Sequence, residues 1–153
     1  MAKKIKWQIE ELQYSKQLNK IAIIILHNRI DSFSSATEKY FKKKSADNLH
    51  DVRIALRRVR YSMESFLTCY NKKEFMRFYN KIQKLQDLSG SVRDIDITVA
   101  NIKSLVKENS LNIENIFIEK IEEKKINTED VFETELKKFV ESKIFKSFYK
   151  QNI

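Results

Sequence analysis

Residues Leu49–Phe66 read LHDVRIALRRVRYSMESF, and this stretch establishes the fold class because its side chains divide between two faces of a helix. At about 100° per residue, the apolar side chains gather on one side. They are Val52, Leu56, Val59, Met63, Phe66 and, beyond the stretch, Tyr70. His50, Arg53, Arg57 and Arg60 lie on the opposite side, within an arc of roughly 80°. We therefore predict an amphipathic helix over about residues 49–70, with one apolar and one cationic face.

Upstream of this stretch, a first helix is predicted from about Trp7 to Lys42. The polar run that follows supplies Ser45, Asp47 and Asn48 as candidate N-caps for the second helix. The apolar positions assigned to the first helix are Ile9, Leu12, Leu18, Ile21, Ile25 and Ile30.

Downstream, helical periodicity continues over about residues 73–88 and 92–107. Gly90, the only glycine, is placed as a C-terminal cap between these two helices, and the SVRD that follows has the form of a capping box. With no proline in 153 residues, short strands joined by tight turns are disfavoured. We expect an all-α bundle of about five to six helices in a single domain over residues 1–153, the last two helices covering about 113–125 and 128–150.

The positive charge belongs to one part of the chain. Residues 1–90 hold 19 Lys and Arg against 9 Asp and Glu, whereas residues 91–153 hold 11 against 12. Such asymmetry is typical of proteins with a polyanionic partner, which could be nucleic acid, an anionic membrane surface or a phosphate polymer. Lysine-rich solvated helices without any ligand would give the same composition, so charge alone leaves both interpretations open.

Features of targeting and of the redox compartment point to the cytoplasm. The longest apolar run, IAIIIL at 21–26, is far shorter than the about 20 residues that span a bilayer, so we expect no membrane-spanning segment and a soluble protein. The N-terminus lacks the apolar core of a secretory signal, and the single Cys69 cannot form an intrachain disulfide.

Arginine is concentrated in the second helix, whose Leu49–Phe66 stretch holds four of the seven arginines of the chain and none of its 23 lysines. Like charges three or four residues apart on a helix repel each other, and a bound anion would relieve that repulsion. The planar guanidinium fork suits two-point contacts with phosphate or carboxylate oxygens. The cationic face is therefore predicted to bind an anion. A second basic stripe on the third helix comprises Lys73, Arg77, Lys81 and Lys84.

Arg93 is predicted in the first turn of the fourth helix, where unpaired N–H groups already favour an anion. Asp94 beside it is expected to cap that helix or to orient an arginine, and Asp96 to be structural, since two carboxylates two residues apart are a weak metal signal. The chain has no GxxxxGK[ST], GxGxxG or HExxH motif and no paired-cysteine zinc spacing. We therefore expect a binding protein with no catalytic residues, no bound metal and no cofactor.

Two blocks, Leu49–Phe66 and LQDLSGSVRDIDI at Leu85–Ile97, together resemble the CHAD domain, the conserved histidine α-helical domain. The resemblance implies an all-helical domain that binds inorganic polyphosphate in a basic groove, in proteins often associated with polyphosphate granules or fused to triphosphate-processing domains. Matched residue by residue, it implies ligand contacts from His50, Arg53, Arg57, Arg58, Arg60 and Arg93, a looser basic contribution from Lys81 and Lys84, and an orienting role for Asp94.

Size is where the chain departs from that family, whose members typically contain two similar helical halves. This chain holds one such half, which suggests a homodimer in which two cationic helices line a common groove. Two functions remain as alternatives to polyphosphate binding. One is a helical protein that binds nucleic acid, and the other is a metal-dependent enzyme of phosphate metabolism in which Asp94 and Asp96 hold the ion.

Overall fold

The structure is a computed structural model, and it describes residues 17–70, 72–109 and 115–151. All regular secondary structure within these ranges is helical, which confirms the all-α prediction. The helices are α1 (Leu18–Lys42), α2 (Ala46–Ser65), α3 (Lys72–Asn109), α4 (Asn115–Glu141) and α5 (Lys143–Gln151), with a short 3-10 helix (Leu67–Cys69) between α2 and α3. The part of the predicted first helix before residue 17 lies outside the described residues.

Four long helices form the bundle, and each packs on the next along the chain. The ring closes between α1 and α4, where the Tyr40 hydroxyl donates a hydrogen bond to Glu133 Oε1 at 2.8 Å. In this order α2 and α4 occupy diagonal corners. The short α5 folds back against α3 and α4, and its Tyr149 hydroxyl donates to Asp31 Oδ1 of α1 at 2.5 Å.

The apolar face of α2 lies at the centre of the core. Its residues Val52, Leu56, Val59 and Met63 are fully buried, as predicted from their spacing. They belong to one cluster with the phenylalanines of α3, α4 and α5, in which the Phe78 and Phe148 rings stack with centroids 4.2 Å apart. Burial on this scale is what orients the opposite, cationic face of α2 outward.

Of the three predicted N-cap candidates, Ser45 is the one that caps α2. Its side-chain oxygen accepts a hydrogen bond from the Asn48 backbone N–H at 3.3 Å, and the helix begins at Ala46. The helix ends at Ser65, before the predicted end at about residue 70, because the chain turns into the 3-10 helix at Leu67.

The prediction that Gly90 ends a helix is wrong, since α3 runs without interruption from Lys72 to Asn109. Gly90 does not adopt a left-handed backbone. The hydroxyls of Ser89 and Ser91 donate back to the carbonyls of Gln86 and Asp87, at 2.8 and 3.2 Å, instead of capping a new helix. The apolar face also continues in register through this point, because the fully buried Val92 lies two turns after the buried Leu85.

The predicted break near residues 126–127 is also wrong, because α4 continues to Glu141. The chain breaks instead at Ser142, whose side-chain oxygen accepts from the Phe145 N–H at 3.1 Å and so caps the next helix. Among the helices of the described ranges, none combines the length and the apolar character that crossing a membrane requires.

Candidate functional site

A groove of about 280 Å³ lies between α2 and the middle of α3. Arg53 and Arg57, one turn apart, form its α2 wall. Its α3 wall is formed by Gln86, Asp87, Gly90, Ser91 and Asp94. The groove exists in this form because α3 is continuous, which places two turns of one helix opposite one turn of α2.

The two arginines of the groove have no acidic partner among the described residues. Within the residues that the structure describes, neither the Arg53 nor the Arg57 guanidinium forms an ion pair, and Arg57 is exposed while Arg53 is half-buried. Asp87 and Asp94 stand on the facing wall without an ion pair in the same described ranges. The groove thus has one arginine wall and one carboxylate wall, and a bound anion would lie along the first.

Positive charge extends from the groove across the outer side of α2. Burial lowers the pKa of the Arg58 guanidinium, and the charges of Arg29 and Arg57 lower it further, against an opposing effect of Asp51. An anion nearby would relieve the repulsion that these neighbouring charges exert on Arg58. Arg29 comes from α1 and was not among the predicted residues; its sequence context carries no stripe of cations that would have indicated it.

Arg60 continues the α2 stripe but is engaged with protein groups. Its Nε donates to Glu64 Oε1 at 2.8 Å, and its guanidinium carbon lies 6.0 Å from the centre of the Tyr79 ring. The Tyr79 hydroxyl also donates to Glu64 Oε1, at 2.6 Å, so the three side chains tie α2 to α3. The hydrogen bond from Tyr79, with that from Arg60, holds the pKa of Glu64 below its ordinary value against the effect of burial.

The predicted lysines lie on the side of α3 that faces α4. Lys84 Nζ is 2.5 Å from Glu135 Oε2, and this hydrogen bond is the main reason that the pKa of the Glu135 carboxyl is lowered, with Lys138 and Lys81 contributing. Lys84 also borders a separate depression of about 330 Å³ that shares Asp87 and Ser91 with the groove. The structure therefore places the lysines beside the groove and not within it.

His50 and Arg93 are exposed and do not line the groove. Arg93 lies in the interior of α3, so the predicted contribution of a helix N-terminus at this position is wrong. For the same reason Asp94 cannot cap a helix, although its place opposite Arg53 and Arg57 is compatible with an orienting role.

Asp96 has a structural partner, since its Oδ1 lies 2.7 Å from Lys125 Nζ and this ion pair joins α3 to α4. The hydrogen bond raises the pKa of Lys125, against the effect of burial. In the described portion of the chain, no group of three or more His, Cys, Asp and Glu side chains is arranged to hold a metal ion.

Comparison with known proteins identifies one family. The sequence model of the CHAD domain matches residues 4–102, which include α1, α2 and most of α3. No curated protein and no solved structure matches the chain significantly.

Proposed function

The chain belongs to the CHAD domain family, and on that basis we propose that it binds inorganic polyphosphate in the groove between α2 and α3. One observation carries the proposal: Arg53 and Arg57 line the groove on successive turns and form no ion pair with any described residue. Unpaired guanidinium groups at a concave surface suit phosphoryl oxygens in two-point contacts.

The geometry of the two arginines supports a linear ligand. They are four positions apart, which corresponds to a rise of about 6 Å along α2. Two forks spaced in this way can contact two phosphoryl groups of one extended chain. The cationic surface around Arg58 and Arg29 provides attraction beyond the groove.

The predicted residues have different roles in this proposal. Arg53 and Arg57 contact the ligand, and Arg58 adds charge at the edge. Arg60 holds α2 against α3 through Glu64 and Tyr79. His50, Lys81, Lys84 and Arg93 act at longer range, because each is exposed outside the groove.

The carboxylates of the facing wall limit the affinity for small anions. Asp87 and Asp94 balance the formal charge of the two arginines. A single phosphate in the groove would therefore gain little net attraction. A polymer also reaches the surrounding cationic surface, and releases counterions from every phosphate that is neutralised. We accordingly expect long chains to bind more tightly than pyrophosphate, with no requirement for a metal.

Competition tests the identity of the ligand. The measurement is binding of fluorescent long-chain polyphosphate, displaced by unlabelled polyphosphate, single-stranded nucleic acid or pyrophosphate at two salt concentrations. The proposal predicts that polyphosphate displaces the probe at a much lower phosphate concentration than nucleic acid does. Equal or stronger competition by nucleic acid would favour a nucleic-acid-binding function, and metal-dependent release of phosphate would favour an enzyme.

Substitution with lysine tests the role of the fork. Arg53→Lys with Arg57→Lys keeps both charges but removes two-point contacts. We expect weaker binding with an unchanged dependence on salt, because the number of charges is the same. Affinity equal to that of the wild type would show that charge alone is recognised.

The proposal also places the protein in the cytoplasm at polyphosphate granules, which a fluorescent fusion expressed with and without polyphosphate synthesis would test.

A further inference from the structure

The outward face of α4 carries side chains that remain exposed in the bundle. Six of them fall within an arc of about 100° on a helical wheel. They are Ile116, Lys120, Glu123, Lys124, Asn127 and Val131, and all are exposed, with Ile116 at 60% and Val131 at 51%. Large apolar residues thus stand at both ends of this face, which we call the α4 face, and charged residues stand between them.

A depression of about 640 Å³ borders the α4 face. It lies between α3 and α4, and its lining includes Leu88 of α3 with Thr128 and Val131 of α4. Leu88 is half-buried there. The lining also includes Lys120, Glu123, Lys124 and Asn127, so the depression runs along the α4 face. Its apolar end, the recess between Leu88 and Val131, is open to a side chain from another molecule.

The charges of the α4 face also lack ion-pair partners within the described part of the bundle. Lys120, Glu123 and Lys124 form no ion pair with any residue of the described ranges, whereas their neighbour Lys125 pairs with Asp96 on the inner side of α4. Their order along the helix matters, because an antiparallel copy of the same face presents the opposite order.

We propose that the α4 face binds a second copy of this chain, with two α4 helices antiparallel about a twofold axis between Glu123 and Lys124. Ile116 of each copy then meets the partner's Val131 and enters the recess beside the partner's Leu88. Glu123 of each copy meets the partner's Lys124, and Lys120 meets the partner's Asn127. A parallel pairing would instead place Lys120 against Lys120 and Glu123 against Glu123, so the charge order selects the antiparallel dimer.

This dimer differs from the one expected from the sequence, in which two α2 helices line a common groove. Because α2 and α4 occupy diagonal corners of the bundle, pairing through α4 leaves Arg53 and Arg57 accessible. The dimer and polyphosphate binding are thus independent claims, and either can fail alone.

The test uses charge exchange at the centre of the interface. In sedimentation velocity from about 1 to 100 µM, the range suited to small interfaces, the wild type should shift from monomer to dimer. Glu123→Lys alone, or Lys124→Glu alone, replaces two attractive pairs by two repulsive ones and should weaken the dimer about tenfold. The control Glu38→Lys, which makes the same charge change on exposed α1, should have no effect.

Two further measurements, in which dimerisation should be recovered, make the test specific to this arrangement. The double variant Glu123→Lys with Lys124→Glu should dimerise like the wild type, because the order of charges is merely reversed. A mixture of the two single variants should form a heterodimer, because one copy then presents two lysines and the other two glutamates. A wild type that stays monomeric over the whole range, or single variants that are not rescued by either route, would overturn the proposal.

Discussion

Replacing Gly90 by alanine tests the continuity of α3, on which the shape of the groove depends. Glycine in a helix interior is less favourable than alanine by about 1 kcal/mol, because it loses more backbone freedom on folding. A Cβ built at this position meets no heavy atom within 4 Å, so the substitution carries no steric cost. We expect the free energy of unfolding to rise by about 1 kcal/mol, which raises the Tm by about 2–4 °C for a chain of this length.

Urea denaturation followed by circular dichroism measures this change, provided that the m-value stays constant. Gly90→Asn is the matched control, because asparagine tolerates a left-handed backbone but is a poorer helix former than alanine. The continuous helix predicts the stability order alanine, asparagine, glycine. If Gly90→Ala instead destabilises the protein and glycine is the most stable of the three, Gly90 is a C-terminal cap and the groove has no continuous α3 wall.

Three further predictions concern the elements that position α2, each measured by denaturation. Ser45→Ala should lower the free energy of unfolding by about 1 kcal/mol because the N-cap is removed, and Ser45→Asp should restore it; an unchanged stability would contradict the cap. Leu56→Ala should cost about 2–5 kcal/mol, since Leu56 is fully buried, whereas a cost below about 1 kcal/mol would place it outside the core. The pKa of Glu64 is lowered in the folded state, so its contribution to stability is present above its unfolded pKa and disappears as the pH falls through the folded one. Glu64→Gln should therefore flatten the acid side of the stability profile, and an unaltered profile would refute the stabilising role of the hydrogen bonds from Arg60 and Tyr79 to Glu64.

How far the fold follows from the sequence depends on how clearly each helix separates its faces. The apolar residues of α2 alternate with arginines, so the spacing of Val52 and Leu56 allowed one assignment of the buried side, and the structure agrees. In α1 the apolar residues are consecutive, and of the assigned positions Ile30 is fully buried whereas Ile21 and Ile25 are not. The structure buries Ala22 and Leu26, while Ile21 and Ile25 remain half-exposed.

Helix boundaries were misjudged where local chemistry and tertiary packing disagree. Gly90 with its flanking serines has the local form of a helix end, but the buried face on either side continues in one register and keeps the helix intact. At Ser142 the local sequence gives no stronger indication of a helix boundary than at Gly90. A new helix nevertheless begins after it, because the phenylalanines that follow pack back onto the core.

The residues of the candidate site also divide into those that one helix carries and those that packing brings together. Arg53 and Arg57 could be predicted because one helix carries both, whereas Asp87 and Arg29 come from neighbouring helices and enter only through packing. The ion pair between Lys84 and Glu135 likewise joins residues 51 positions apart, so no local pattern could place that lysine outside the groove.

The salt dependence of polyphosphate binding by Arg53→Ala with Arg57→Ala tests whether these two arginines hold the ligand. If both guanidinium groups contact phosphates, the double variant should bind more weakly, and the slope of log K against log salt should fall by about 0.7 for each phosphate that is no longer neutralised. Arg77→Ala with Lys146→Ala removes the same charge from exposed positions outside the groove and should change the slope little. Equal affinity and slope for the groove variant and the wild type would show that polyphosphate does not bind between α2 and α3.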